Sequence, residues 1–163
     1  MPEHVVDWRF EGETCSDLAD SQAPALARCA HDLMVALAAD DAADLGSPLE
    51  LSILLTDDAG IQPLNAQWRS VDSATDVLSF PMEEGPVLGD VVISLETAAR
   101  RADPPRWLLD DELAFLLLHG VLHLLGHDHI EPQERASMEA AEQRLWTTLG
   151  RAGTLREPAE PAS

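Results

Sequence analysis

DDELAFLLLHGVLHLLGHDH, residues Asp110 to His129, runs from three acids through an almost continuous apolar stretch into a cluster of histidines. Asp110, Asp111 and Glu112 place negative charge where a helix N-terminus favours it. The residues that follow are apolar nearly all round, so this helix belongs at the centre of a fold. Leu113 to Leu125 is interrupted by His119, Gly120 and His123 and falls short of the roughly 20 residues that a membrane span requires. A buried helix is the reading, and no membrane contact is expected.

The histidines give that helix chemistry. His119 and His123 stand at i and i+4, on one face with β-carbons about 5 to 6 Å apart, close enough to share one metal. On a continuous helix His127 would lie about 12 Å from His119, too far for both to reach an ion at about 2.0 to 2.1 Å. Gly126 best supplies a left-handed helix stop, after which the chain can turn back and offer His127 or His129 as third ligand. Three neutral imidazoles leave a coordination position open, as catalytic zinc sites do, and nickel, cobalt or copper suits the same donors. Asp128 lies beside this loop, where it can orient a ligand, accept a proton or simply stabilise the turn. In an HExxH peptidase the general base directly follows the first histidine; here that position is Gly120.

Working outward, Pro132 opens a last amphipathic helix reaching about Leu149. Upstream, DVLSFP and GDVVIS read as two strands of a hairpin around MEEGPVL, followed by a helix from Leu95 to Ala102 that ends before Pro104-Pro105. LELSILLTD is an apolar strand, and Ile61, Leu64 and Trp68 mark a short helix after Asp57-Asp58. His4 to Phe10 is a further strand. Pro24 sits where a helix can begin, and the spacing of Leu26, Cys29, Ala30, Leu33 and Leu37 predicts one ending near Asp40, with His31 beside the stripe as a surface residue. The four tryptophans, Trp8, Trp68, Trp107 and Trp146, are assigned to core packing. Strands and helices in this order predict one α+β (α/β-type mixed) domain over residues 1–149, with a small, mostly mixed four-stranded sheet, about five or six helices and the HxxxH helix at its centre. The Gly-, Pro- and Ala-rich tail, 150–163, is expected to be disordered.

The 163 residues carry 30 acidic and 10 basic side chains, a formal charge of -20, and every basic residue is arginine. That balance excludes coating of nucleic acid by bulk charge but leaves room for a local arginine-lined cleft. Asp20, Asp40, Asp41, Asp110, Asp111 and Glu112 read as solvated surface. Cys15 and Cys29 lack CxxC spacing and read as two semi-buried free thiols. No secretory or transit signal is visible in MPEHVVDWRFEGE, so a cytoplasmic location is expected.

HGVLHLLGHDH resembles the HGxLHLxGxDH signature of the YbeY family of bacterial rRNA maturation endoribonucleases. LNAQWRSVDSATDVLSFP is similar to that family's second motif, with Asn65, Arg69, Thr75, Asp76, Val77, Leu78, Ser79, Phe80 and Pro81 in matching places, and LGDVVIS to its third. The resemblance covers Leu51 to His129. It implies His119, His123 and His129 as ligands of one zinc ion, with His127 at a position the motif leaves open. It also implies that Arg69 lines the substrate cleft and is needed for activity, which suits a guanidinium able to clamp a phosphate with two hydrogen bonds. For Asp76 a hydrogen-bonding role at the strand start is the expectation. Arg100, Arg101 and Arg106 either extend a basic rim or form a solvated helix end.

The implied function is single-strand-specific, metal-dependent endoribonuclease action in rRNA maturation, at 16S ends, and in ribosome quality control, with single-stranded RNA and the ribosome or small-subunit proteins as partners. Two competing readings are a zinc metallopeptidase-like hydrolase and a non-catalytic, zinc-stabilised ribosome-associated factor.

Overall fold

Leu51, Ile53 and Leu55 are buried while Ser52 and Leu54 are only partly so, the period of two that a strand imposes on its faces. In the computed structural model this segment is β2 (Glu50–Thr56), the second strand of a four-stranded sheet ordered β1-β2-β4-β3. β1 (Val5–Phe10) and β4 (Val87–Ser94) flank it in parallel, and β3 (Val77–Pro81) closes the β4 edge antiparallel. The structure describes residues 4–39, 48–82, 87–126 and 131–151. Among them five helices, α1 (Ser16–Ala38), α2 (Asp58–Arg69), α3 (Leu95–Arg101), α4 (Leu109–Leu124) and α5 (Pro132–Thr148), complete a single small α+β domain.

The two faces of the sheet are unequal. Leu51, Ile53, Leu55, Val91, Ile93 and Val77 join residues of α1, α4 and α5 in the main core. Ile61 of α2 covers Leu78 and Val92 on the other face. As expected, α4 is the central element: it packs on β3, β4, α1, α3 and α5, and every residue from Glu112 to Leu122 is buried.

Three expectations need correction. α1 begins at Ser16, not at Pro24, because Ala19 and Ala23 extend the buried stripe of Leu26, Ala30 and Leu33 backwards at three- and four-residue spacing. Pro24 lies on the exposed side of that helix, and burial of the stripe outweighs the backbone hydrogen bond its ring removes. Trp107 and Trp146 are core, but Trp8 (39% exposed) and Trp68 (60% exposed) are not. Glu112 is 3% exposed rather than solvated, its carboxylate accepting the Trp107 Nε1 hydrogen at 2.7 Å.

α2 is held at its start by Asp57, whose side chain accepts the Gly60 amide at 2.9 Å as a helix cap. The other carboxylate oxygen accepts the amides of Glu13 and Thr14, at 2.8 and 2.9 Å, and so ties the β1–α1 connection to α2. Burial works to raise the Asp57 pKa, but the hydrogen bonds from Thr14, Glu13 and Gly60 outweigh it and hold the value below the ordinary 3.8. Because the folded value is depressed, this stabilisation is fully present above about pH 4 and is lost as pH falls through the folded value. Asp57→Ala is therefore expected to cost about 2–3 kcal/mol near neutrality, from one lost cap and two orphaned amides. Thermal melts at pH 7 and pH 3 check this, with a smaller difference between wild type and variant at the lower pH.

Candidate functional site

Gly120 sets how closely α4 approaches the sheet. A β-carbon there would stand 2.9 Å from Val91 Cγ1 and 3.1 Å from Ser79 Oγ, and the Ser79 hydroxyl donates to the Gly120 carbonyl at 2.8 Å. A turn later, a β-carbon on Gly89 would meet Leu124 Cδ2 at 3.1 Å. The C-terminal half of α4 therefore runs along the β3–β4 hairpin towards the end where Pro81 pairs with Gly89. Gly126, at φ 95°, ends it in the left-handed conformation anticipated from the sequence.

His119 and His123 converge on that half-helix. Their Nε2 atoms are 3.2 Å apart, with ring centroids at 4.7 Å. Two nitrogens bound tetrahedrally to zinc at about 2.05 Å would be separated by about 3.3 Å, so the pair has the span of one edge of such a site. His119 is 5% exposed and packed against the Phe115 ring, whereas His123 is half-buried. No group of three or more His, Cys, Asp or Glu able to hold an ion occurs among the described residues. His127, Asp128 and His129 lie outside those residues.

Sequence reasoning missed Glu142. Its Oε2 lies 2.7 Å from His119 Nδ1, and the residue is 6% exposed. Met138 and Trp146, one turn to either side on α5, are both buried. A glutamate inside the apolar stripe was the available signal.

Arg69 occupies the last turn of α2, is exposed, and makes no hydrogen bond or ion pair among the described residues. Ser70, at φ 59°, turns the chain sharply after it, and Asn65 braces the loop by donating to the Ser73 carbonyl at 3.0 Å. Neighbouring Trp68 meets Phe80 edge-on at 6.0 Å, which puts the end of α2 at the same end of the β3–β4 hairpin as the C-terminal end of α4, where Leu124 lies against Gly89. The two approach from opposite faces of the sheet, with edge strand β3 between them. Asp76 behaves structurally, as expected: it is 1% exposed, accepts the Val77 amide at 2.8 Å and is ion-paired with Arg101. Arg100 pairs with Asp58 and Arg106, in an exposed pair, with Asp103, so each of these three arginines has a carboxylate partner.

The family profile described as Endoribonuclease YbeY matches residues 16–150. This chain belongs to the YbeY family. Relatives bearing the name Endoribonuclease YbeY include one from Anaeromyxobacter sp. (strain Fw109-5), 50% identical over 117 residues that make up 69% of this chain and 61% of that protein. Another, from Rhizobium etli (strain CIAT 652), is 47% identical over 63% of this chain and 64% of its own length. A third, from Paramagnetospirillum magneticum, is 42% identical over 83% of this chain and 88% of its own. The match thus spans less than two thirds of the first two relatives and most of the third. The solution structure of TM1509 from Thermotoga maritima aligns over 87% of this chain and 89% of that one, at 22% identity and a TM-score of 0.49. No helix among the described residues is long and apolar enough to cross a membrane.

Within this YbeY-family chain the packing at Gly120 bears on the peptidase reading. Gly120→Glu would write HExxH into the sequence, but the new side chain would have to enter the contact with Val91 and Ser79. Overpacking and burial of a carboxylate are expected to cost at least about 3 kcal/mol. A urea melt is expected to show that loss, and a casein assay no cleavage. Casein cleavage by the wild type that is lost in His123→Ala would restore the peptidase reading.

Proposed function

We propose that the chain is a single-strand-specific, metal-dependent endoribonuclease acting in rRNA maturation, at 16S rRNA ends, and in ribosome quality control in the cytoplasm. The observation that carries this reading is the pair of imidazole nitrogens 3.2 Å apart on a buried helix of a YbeY-family chain. His119, His123 and, outside the described residues, His129 would hold one zinc ion. Zinc bound there would supply Lewis acidity to a phosphodiester oxygen and favour ionisation of water near neutral pH.

The chain's own residues do the rest. Helix α4 fixes the imidazoles, with His119 buried against Phe115, where electrostatic effects are larger than in water. Arg69, permanently charged and without a carboxylate partner among the described residues, clamps a backbone phosphate and stabilises the charge that builds on phosphorus. Asp128 is assigned to orient a ligand or accept a proton beside the metal loop.

The test incubates zinc-loaded protein with a labelled single-stranded rRNA fragment, beside His123→Ala and Arg69→Ala proteins purified identically. Cleavage by wild type alone is the expected result and excludes a contaminating nuclease. No cleavage by a wild type that holds stoichiometric zinc would overturn the nuclease reading in favour of a ribosome-associated factor.

A further inference from the structure

We propose that Glu142 is a positioning residue of the metal site: it holds the His119 ring so that Nε2 presents its lone pair to the ion. The inference rests on the metal reading above. An ionised carboxylate has no proton to give, so across the 2.7 Å contact the hydrogen belongs to His119 Nδ1. A neutral imidazole protonated at Nδ1 is an acceptor at Nε2, and that is the atom facing His123. The pair bridges two helices, α4 and α5, and Phe115 packs against the same imidazole. Rotation of the ring away from His123 would break the Glu142 contact and disturb that packing.

Charge gives the second argument. Glu142 is 6% exposed, and no cationic side chain other than His119 meets it among the described residues. Buried carboxylate–imidazole pairs contribute little net stability, and apolar residues in place of both partners often serve a fold as well, so a carboxylate charge kept between Met138 and Trp146 in the buried stripe of α5 points to a role beyond packing. A cation on the far side of the ring balances that charge through the imidazole. Glu142 therefore serves a metal site as well as the contact between α4 and α5.

The experiment compares wild type, Glu142→Met and Glu142→Gln by zinc affinity in competition with a chromogenic chelator, by the visible spectrum of the cobalt-loaded proteins, and by apo melting temperature. Glu142→Met is expected to bind zinc about 10- to 100-fold more weakly, with an altered cobalt spectrum, and to melt below the wild-type apo temperature because it orphans the buried His119 Nδ1 hydrogen. Glu142→Gln, which keeps an acceptor oxygen without the charge, is expected between the two. Unchanged zinc affinity in both variants overturns the proposal, as does a lower apo melting temperature with affinity intact. Failure of both variants to fold assigns Glu142 to the fold alone and also overturns it. Absence of zinc binding by the wild type would instead remove the metal reading itself, so the two failures are distinguishable.

Discussion

His123→Ala is expected to remove zinc and RNA cleavage together while leaving the apo protein folded. His123 is half-buried in the final turn of α4, so truncating it opens little core. His119 makes a worse probe: it is 5% exposed and pairs with Glu142, so His119→Ala would strand a buried carboxylate, a loss of about 3–5 kcal/mol that would mix unfolding with loss of function. For His123→Ala the loss of zinc affinity should exceed the about 10- to 100-fold caused by changes one shell out, because a direct donor is gone. Cleavage should fall at least about 10³-fold, to background. A third readout is the thermal shift on adding zinc. Zinc at about 100 times its dissociation constant would stabilise a zinc-binding wild type by about 2.7 kcal/mol, and that increment should vanish in the variant at the same concentration. Retained zinc and normal cleavage in His123→Ala would disqualify the pair as the metal site.

What could be read from the sequence was local. The i, i+4 spacing of His119 and His123 and the stop at Gly126 need only helix geometry, and both appear as anticipated. The β3–β4 hairpin and the apolar α4 likewise declare themselves through alternation and continuity. The start of α1 did not, since Pro24 is a strong local signal and the weaker Ala19 and Ala23 count only once a core exists for them to face. Glu142 escaped because its partner is 23 residues away and the contact depends on how α5 lies across α4. The same holds for Arg100 with Asp58 and Arg101 with Asp76, 42 and 25 residues apart: their spare charge on the page is cancelled in space. Trp68 shows the converse, a residue at core spacing on a helix that covers only part of its face of the sheet.

That cancellation gives Arg69 its importance. In a chain of formal charge -20, Arg9, Arg100, Arg101, Arg106 and Arg151 are each ion-paired with Asp or Glu. Arg69, like Arg28 and Arg144, has no such partner among the described residues, but it alone of the three projects from the end of α2, beside Trp68 on Phe80 of the hairpin whose Gly89 lies against Leu124 at the end of α4. Arg69→Ala is therefore expected to lower cleavage about 10³-fold, the scale of removing a charged donor from a transition state in which negative charge develops on phosphate. Arg69→Lys should recover little, because an ammonium keeps the charge but not the planar fork that grips two phosphate oxygens. Zinc content should stay at the wild-type level, and stability should fall by no more than about 1 kcal/mol, the value of a cation at an exposed helix C-terminus. The joint outcome separates roles: loss of activity with zinc and melting temperature intact places Arg69 on the substrate, loss of all three makes it structural, and normal cleavage removes it from the mechanism.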